Sequence, residues 1–206
     1  MSVAERKKDF TSRTSGTRPR PKKMLIVCED SKSGLFYLED LVDHLHLSAV
    51  TVVESSEQGT DPLSVVEFAK KRLKQKKYDE VCAVFDGDGV LRGGPEKAQF
   101  DGAITKAKAD PAIEVYVSVP CIEYWFLLHY GFTDAPDQNC ESICNRLGDK
   151  LNQRYHKSIH IYALLDPKDQ AQAMKHAKKL RDPQRFTSPS TEMDLLIEKL
   201  QAWVIQ

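Results

Sequence analysis

Val81-Cys82-Ala83-Val84-Phe85-Asp86-Gly87-Asp88-Gly89 changes character halfway along: an unbroken apolar run gives way without transition to Asp-Gly-Asp-Gly. The run is too short for a helix and lacks the alternation of a half-exposed strand, which is the pattern of a strand covered on both faces. Similar runs occur at Met24-Leu25-Ile26-Val27-Cys28, at Ala49-Val50-Thr51-Val52-Val53 and from Ile113 to Val119. Between them, apolar residues recur at helical spacing over Leu35 to Leu47, Pro62 to Lys77 and Pro95 to Ala109. The middle helix opens on Asp61-Pro62, an N-cap followed by proline at the first helical position. Strands alternating with helices through right-handed crossovers predict a three-layer, Rossmann-like α/β fold around a mainly parallel sheet of about four strands.

After Pro120 the strand pattern fades into helices near 121–130, 138–153, 168–181 and 192–204, a helical C-terminal extension of the same domain. Thr191-x-x-Asp194 resembles a capping box at the start of the last helix. Ser158 to Leu165 reads either as a fifth strand or as the start of a buried helix. Residues 1–21, rich in Ser, Thr, Arg and Lys, cannot bury enough surface to fold alone and are expected to form a flexible basic tail, leaving 22–206 as the folded domain.

The 206 residues weigh 23.3 kDa and carry 41% apolar and 29% charged side chains, the composition of one globular domain. No apolar run is long enough to span a bilayer and none resembles a secretory signal, so a cytoplasmic protein without membrane contact is expected. Thirty basic residues balance thirty acidic ones, which excludes a globally basic nucleic-acid binder. The distribution is uneven, however: residues 1–23 hold eight basic side chains against Glu5 and Asp9, and the body is correspondingly acidic. Arg18, Arg20, Lys22 and Lys23 can neutralise nucleic-acid phosphates irrespective of sequence, or simply solubilise the chain. The five cysteines lack any C-x-x-C pair, so neither a disulfide framework nor a zinc cluster is expected, although Cys140 and Cys144 share a helix face.

Ligands of open α/β sheets bind beyond the carboxyl ends of the strands. Glu29 follows the first strand, and Asp86 and Asp88 follow the third. In extended geometry residues two apart point to one side, and strands about 4.8 Å apart would let Glu29 join the two aspartates if the first and third are neighbours. Three clustered carboxylates repel one another, and Mg²⁺ or Mn²⁺ relieves that repulsion while leaving coordination positions for substrate phosphates. Asp86 and Asp88 would hold the metal, with Glu29 a further ligand or the general base. Glu123 is either a ligand to a second metal or a partner of its own helix N-terminus. Lys32 and Arg92, the latter beside Gly93-Gly94, are candidates to contact phosphate. A plain alternative is that Asp-Gly-Asp-Gly only closes a turn and that Asp30, Ser31 and Ser33 only cap a helix.

Glu29 after a first strand and Asp86-x-Asp88 after a third are similar to the Toprim arrangement of topoisomerases, primases and related nucleases. Leu25-Ile26-Val27-Cys28-Glu29, Tyr37, Val84-Phe85-Asp86-x-Asp88 and Ser118-x-Pro120-Cys121-x-Glu123-x-Trp125-x-Leu127-Leu128-His129 resemble RloB-like proteins, as does Pro189-Ser190-Thr191 before the last helix. The resemblance spans about residues 22–204. It implies a Toprim-like fold, a metal-dependent RNA or DNA nuclease in anti-phage defence, and an ABC-type ATPase as partner. The family's Thr-Glu after the first glutamate is replaced here by Ser33-Gly34, which leaves open a catalytically decayed subunit that binds nucleic acid or the ATPase.

Asp86-Gly87-Asp88-Gly89 also looks like the first motif of haloacid-dehalogenase-type phosphatases, with Asp86 as nucleophile and Asp88 as general acid, although that fold needs later strands with further catalytic residues. His129 and Trp125 share a helix face suited to the core, Phe36 and Tyr37 are expected to fill the core, and His156 and His160 show no convergent partner.

Overall fold

The computed structural model describes residues 20–55, 59, 61–135, 139–181 and 185–204. Five strands, β1 (Met24–Cys28), β2 (Val50–Glu54), β3 (Glu80–Asp86), β4 (Ile113–Val119) and β5 (Ser190–Thr191), form one sheet in the order β2-β1-β3-β4-β5. The first four are parallel and β5 is antiparallel to β4. Helices α1 (Ser33–His44), α2 (Pro62–Lys74), α3 (Asp88–Arg92) and α4 (Gly94–Lys108) connect the parallel strands. Helices α5 (Glu123–Leu127), α6 (Cys140–Leu151), α7 (Pro167–Leu180) and α8 (Met193–Trp203) follow.

The strand order dictates the layering. The chain steps from β1 outward to β2, then back across β1 to β3 and on to β4. Right-handed crossovers put helices on opposite faces when the direction of travel reverses. So α1 packs on one face with Met24, Ile26, Cys28, Cys82 and Val84, whereas α2 and α4 pack on the other with Leu25, Val27, Val81, Ala83 and Phe85. Helices α5 to α8 complete the α1 layer around the fully buried Trp125, Tyr124 and Phe126. The C-terminal helices are thus the missing half of a three-layer sandwich.

Three expectations from sequence need correction. Ser158 to Leu165 is no strand: it holds a 3-10 turn, Ile161–Leu164, and the fifth strand is the two-residue β5, too short for any periodicity to show. Thr191 and Asp194 do not close a capping box: the Thr191 hydroxyl accepts the Met193 N–H at 3.3 Å and bonds the Ser118 hydroxyl at 2.7 Å, while Asp194 pairs with Arg181. The loop after Asp86 contains α3, which sequence reading missed because a five-residue helix shows no apolar stripe. The Asp61 cap is as expected, its carboxylate accepting the Leu63 and Ser64 N–H groups.

Candidate active site at the carboxyl edge

The chain's direction of travel across the sheet reverses between β1 and β3, the point where open α/β sheets bind ligands. Glu29 continues β1 by one residue, its N–H donating to Val84 O at 3.0 Å. Its side chain turns toward the neighbouring strand, where Oε2 accepts the Asp86 N–H at 2.7 Å. The Asp86 carboxylate in turn accepts the Ile122 N–H at 2.9 Å through Oδ1. The expected adjacency of the first and third strands therefore holds, and the two acids share one half-buried corner. Beside them lies a cavity of about 20 Å³ lined by Glu29, Asp30, Asp86 and Ile122, room for one water or small ion.

Burial first, then the neighbouring Asp88 and Asp30 charges, push the Glu29 carboxyl up to about 8, although the Asp86 N–H pulls it back. Burial and then the Glu29 and Glu123 charges also raise Asp86 well above the carboxylate range. Two such acids cannot both stay ionised without a proton or a cation between them.

Asp88 stands apart. Gly87 leaves the extended region at φ −102°, ψ 18°, so the rule that alternate residues share a side ends at Asp86. The turn needs glycine, because a Cβ at Gly87 would sit 2.5 Å from Val119 Cγ2. Asp88 opens α3 and pairs with Arg92 at 2.6 Å near the surface. It still acts on Glu29 through its charge. Lys32 precedes α1 at the same edge, exposed and, among the described residues, without an ion-pair partner.

Glu123 is completely buried at the start of α5. Lys157 Nζ lies 3.5 Å from its Oε1, and the Tyr155 hydroxyl donates to the same oxygen at 3.3 Å. Burial draws the Lys157 ammonium down, but the charges of Glu123, Asp86 and Asp30 more than offset this and hold it above the ordinary lysine value. Lys157 is thus the cation facing the acid corner, and sequence reading missed it, since a lysine in a polar loop carries no periodic signal. Likewise His160 does have a partner, Asp40 Oδ2 at 3.0 Å, and stacks on the half-buried Phe36. His129 is buried against Trp125 as expected for a core residue, its pKa lowered to about 4 chiefly by burial.

A disulfide joins Cys121 to Cys140, contrary to expectation; it links residues nineteen apart that only the packing of α5 on α6 brings together. Among the described residues, Cys121, Glu123 and Cys140 form the candidate metal cluster whose ligand atoms all lie within 4.8 Å of one another; Glu29, Asp86 and Asp88 do not close into such a group.

The basic residues assigned to nucleic acid divide. Arg18 lies outside the described residues. Arg20 makes two hydrogen bonds to Asp79 at 2.7 and 3.1 Å, Lys22 lies 3.9 Å from Glu80, and the Lys23 N–H donates to Asp79. Asp79 and Glu80 lie at the amino end of β3, so these groups occupy the opposite rim from Glu29, about 16–20 Å of strand away. Of the described ones, only Arg92 lies at the carboxyl edge, paired to Asp88. Among the described residues no helix is long and apolar enough to cross a membrane.

A five-stranded, mostly parallel sheet with two half-buried acids in contact at its switch point defines an α/β protein with an acid pair at its carboxyl edge. The chain belongs to the RloB-like protein family, whose model matches residues 24–200. No curated protein and no solved structure matches it.

Proposed function

We propose that the chain is a divalent-metal-dependent nuclease that hydrolyses phosphodiester bonds of RNA or DNA with a Toprim-like use of its acids. The supporting observation is the contact of Glu29 with Asp86 at the switch point, two half-buried acids with raised pKa values. Each spends one oxygen on a backbone N–H and has the other available beside a cavity of ion size. Mg²⁺ or Mn²⁺ fits this oxygen donor set and keeps most of its coordination for water and phosphate. When bound, such an ion supplies Lewis-acid polarisation of the phosphoryl group and a more acidic water.

The chain's own groups supply the rest. Burial keeps the Glu29 carboxyl protonated up to about 8 when no cation is present, so Glu29 would serve as general base once a cation at the corner displaces its proton. Asp86 is held in place by the Ile122 N–H. Asp88 can turn inward as a further ligand, and doing so frees the Arg92 guanidinium to bridge two phosphate oxygens. Lys32 adds an exposed ammonium on the α1 side. Glu123 is enclosed by Tyr155 and Lys157 and acts by orienting that lysine toward Asp86. The proposal extends to a cytoplasmic effector of anti-phage defence with an ABC-type ATPase partner.

The deciding experiment incubates the purified protein with transfer RNA, single-stranded RNA and plasmid DNA, with and without Mn²⁺, beside Asp86→Ala. Cleavage that needs Mn²⁺ and is lost in the variant is the expected result, with a fall of at least about 100-fold. Hydrolysis of a small phosphate ester that depends on Asp86, with nucleic acid left intact, would favour the phosphatase alternative. Inactivity on every polymer would leave a binding subunit instead.

A further inference from the structure

The nuclease proposal leaves unused a cluster of sulfur beside the acid corner. Cys121 Sγ is joined to Cys140 Sγ, and Cys144 Sγ, one helical turn along α6, lies 3.9 Å from Cys140 Sγ. Glu123 Oε2 lies 3.2 Å from the same Cys140 sulfur. In the disulfide that sulfur carries no proton, so this buried carboxylate oxygen faces a group with nothing to donate. Burying a charged oxygen in such surroundings is costly.

We propose that Cys121, Cys140, Cys144 and Glu123 form a Zn²⁺ site that exists only when the Cys121–Cys140 disulfide is reduced. The spacing suits a tetrahedral ion: a Zn–S distance of about 2.3 Å places two sulfur ligands about 3.8 Å apart, and a sulfur and an oxygen ligand about 3.5 Å apart. The observed 3.9 and 3.2 Å separations are close to these edges. Thiolates are soft ligands that select Zn²⁺ over the hard cations suited to Glu29 and Asp86. Three thiolates and a carboxylate around Zn²⁺ leave a charge of about −2, and Lys157, 3.5 Å from the other Glu123 oxygen, offsets part of it. Cys144 also lines a cavity of about 680 Å³, which gives a reductant and the ion a path to the cluster.

Reduction balances with a dithiol of the thioredoxin class as electron donor. Its two thiols pass two electrons and two protons to the Cys121–Cys140 bond, becoming a disulfide as the protein gains two thiols. The cysteine thiols then lose their protons to solvent as Zn²⁺ binds. Oxidation and metal loading therefore exclude one another.

The test titrates full-length, dithiol-reduced, metal-free protein with Co²⁺ as a spectroscopic stand-in for Zn²⁺. Stoichiometric Co²⁺ should give an intense thiolate-to-cobalt charge-transfer band with the visible bands of a tetrahedral site, and Zn²⁺ should bleach both. Oxidised protein should give neither, and Cys121→Ser or Cys140→Ser should weaken binding by more than about 10-fold. Asp86→Asn should keep the full spectrum, so failure of the nuclease proposal leaves this result intact. Should a serine variant fail to fold by circular dichroism, alkylation of the wild type with peptide mapping replaces it, with Zn²⁺ protecting these three cysteines. Reduced protein without the charge-transfer band, oxidised protein with it, or cysteines alkylated equally with and without Zn²⁺ would overturn the proposal.

Discussion

At the residue scale, Glu29 and Asp86 determine how the protein responds to pH. The Glu29 carboxyl titrates at about 8 in the folded chain against an ordinary value of 4.5. A raised folded pKa means that the native state binds the proton more tightly than the unfolded chain does. The stability this adds is fully present below 4.5 and is lost as pH rises through about 8. The melting temperature of metal-free protein should therefore fall across that window, and Glu29→Gln should flatten the fall and raise the melting temperature at its alkaline end. Excess Mn²⁺ should restore wild-type stability there by binding the folded state and leave Glu29→Gln unchanged. Equal profiles for the two proteins would show that the carboxyl is not strained. Glu29 and Asp86 were legible in the sequence because both end apolar strands. The placement of Asp88 was not legible, since the extended spacing expected there stops at Gly87 and Asp88 opens α3, although its charge still reaches Glu29. Position 34 was only half legible: the Gly34 N–H donates to Asp30 Oδ1 at 3.0 Å, and a Cβ there would lie 2.9 Å from that oxygen. Glycine at this position thus serves the Asp30 contact that opens α1, which sequence alone could not separate from loss of a catalytic acid.

At the scale of elements, α5 links the two functional clusters. It carries Glu123 at its start and buries Trp125 completely among α1 and the C-terminal helices. Trp125→Ala would leave a large void in that layer and should cost about 3–5 kcal/mol, measured by urea denaturation. A loss below about 1 kcal/mol would mean that α5 does not anchor the layer. The apolar segments behind β1, β3 and β4 were readable because strands buried on both faces are continuous in sequence. By contrast, β5 left no trace in periodicity, and the Cys121–Cys140 pair none in spacing, because tertiary packing alone creates each.

At the scale of the whole molecule, alternation of strands and helices predicted the layers, and the strand order then placed the acid corner at the switch point. What stayed hidden was the partner of the basic segment before β1: Arg20 is fastened to Asp79 at the rim opposite Glu29. One further arrangement belongs to this scale. Beyond the two residues paired with β5, the outer side of β4 is occupied by single side chains. Val117 N–H donates to Glu192 Oε2 at 3.1 Å while the Glu192 N–H donates to Val117 O at 2.9 Å, and Arg185 reaches Val115 O at 3.2 Å. Removing the carboxylate by Glu192→Ala should cost about 1–3 kcal/mol in denaturant unfolding, since a buried donor loses its acceptor. Light scattering of that variant should also show growth of large particles on storage, and a variant that stays monodisperse would exclude this role. Glu192 and Arg185 thus act as a counterfeit neighbour for β4, a gatekeeper that denies another molecule a template for edge-to-edge aggregation.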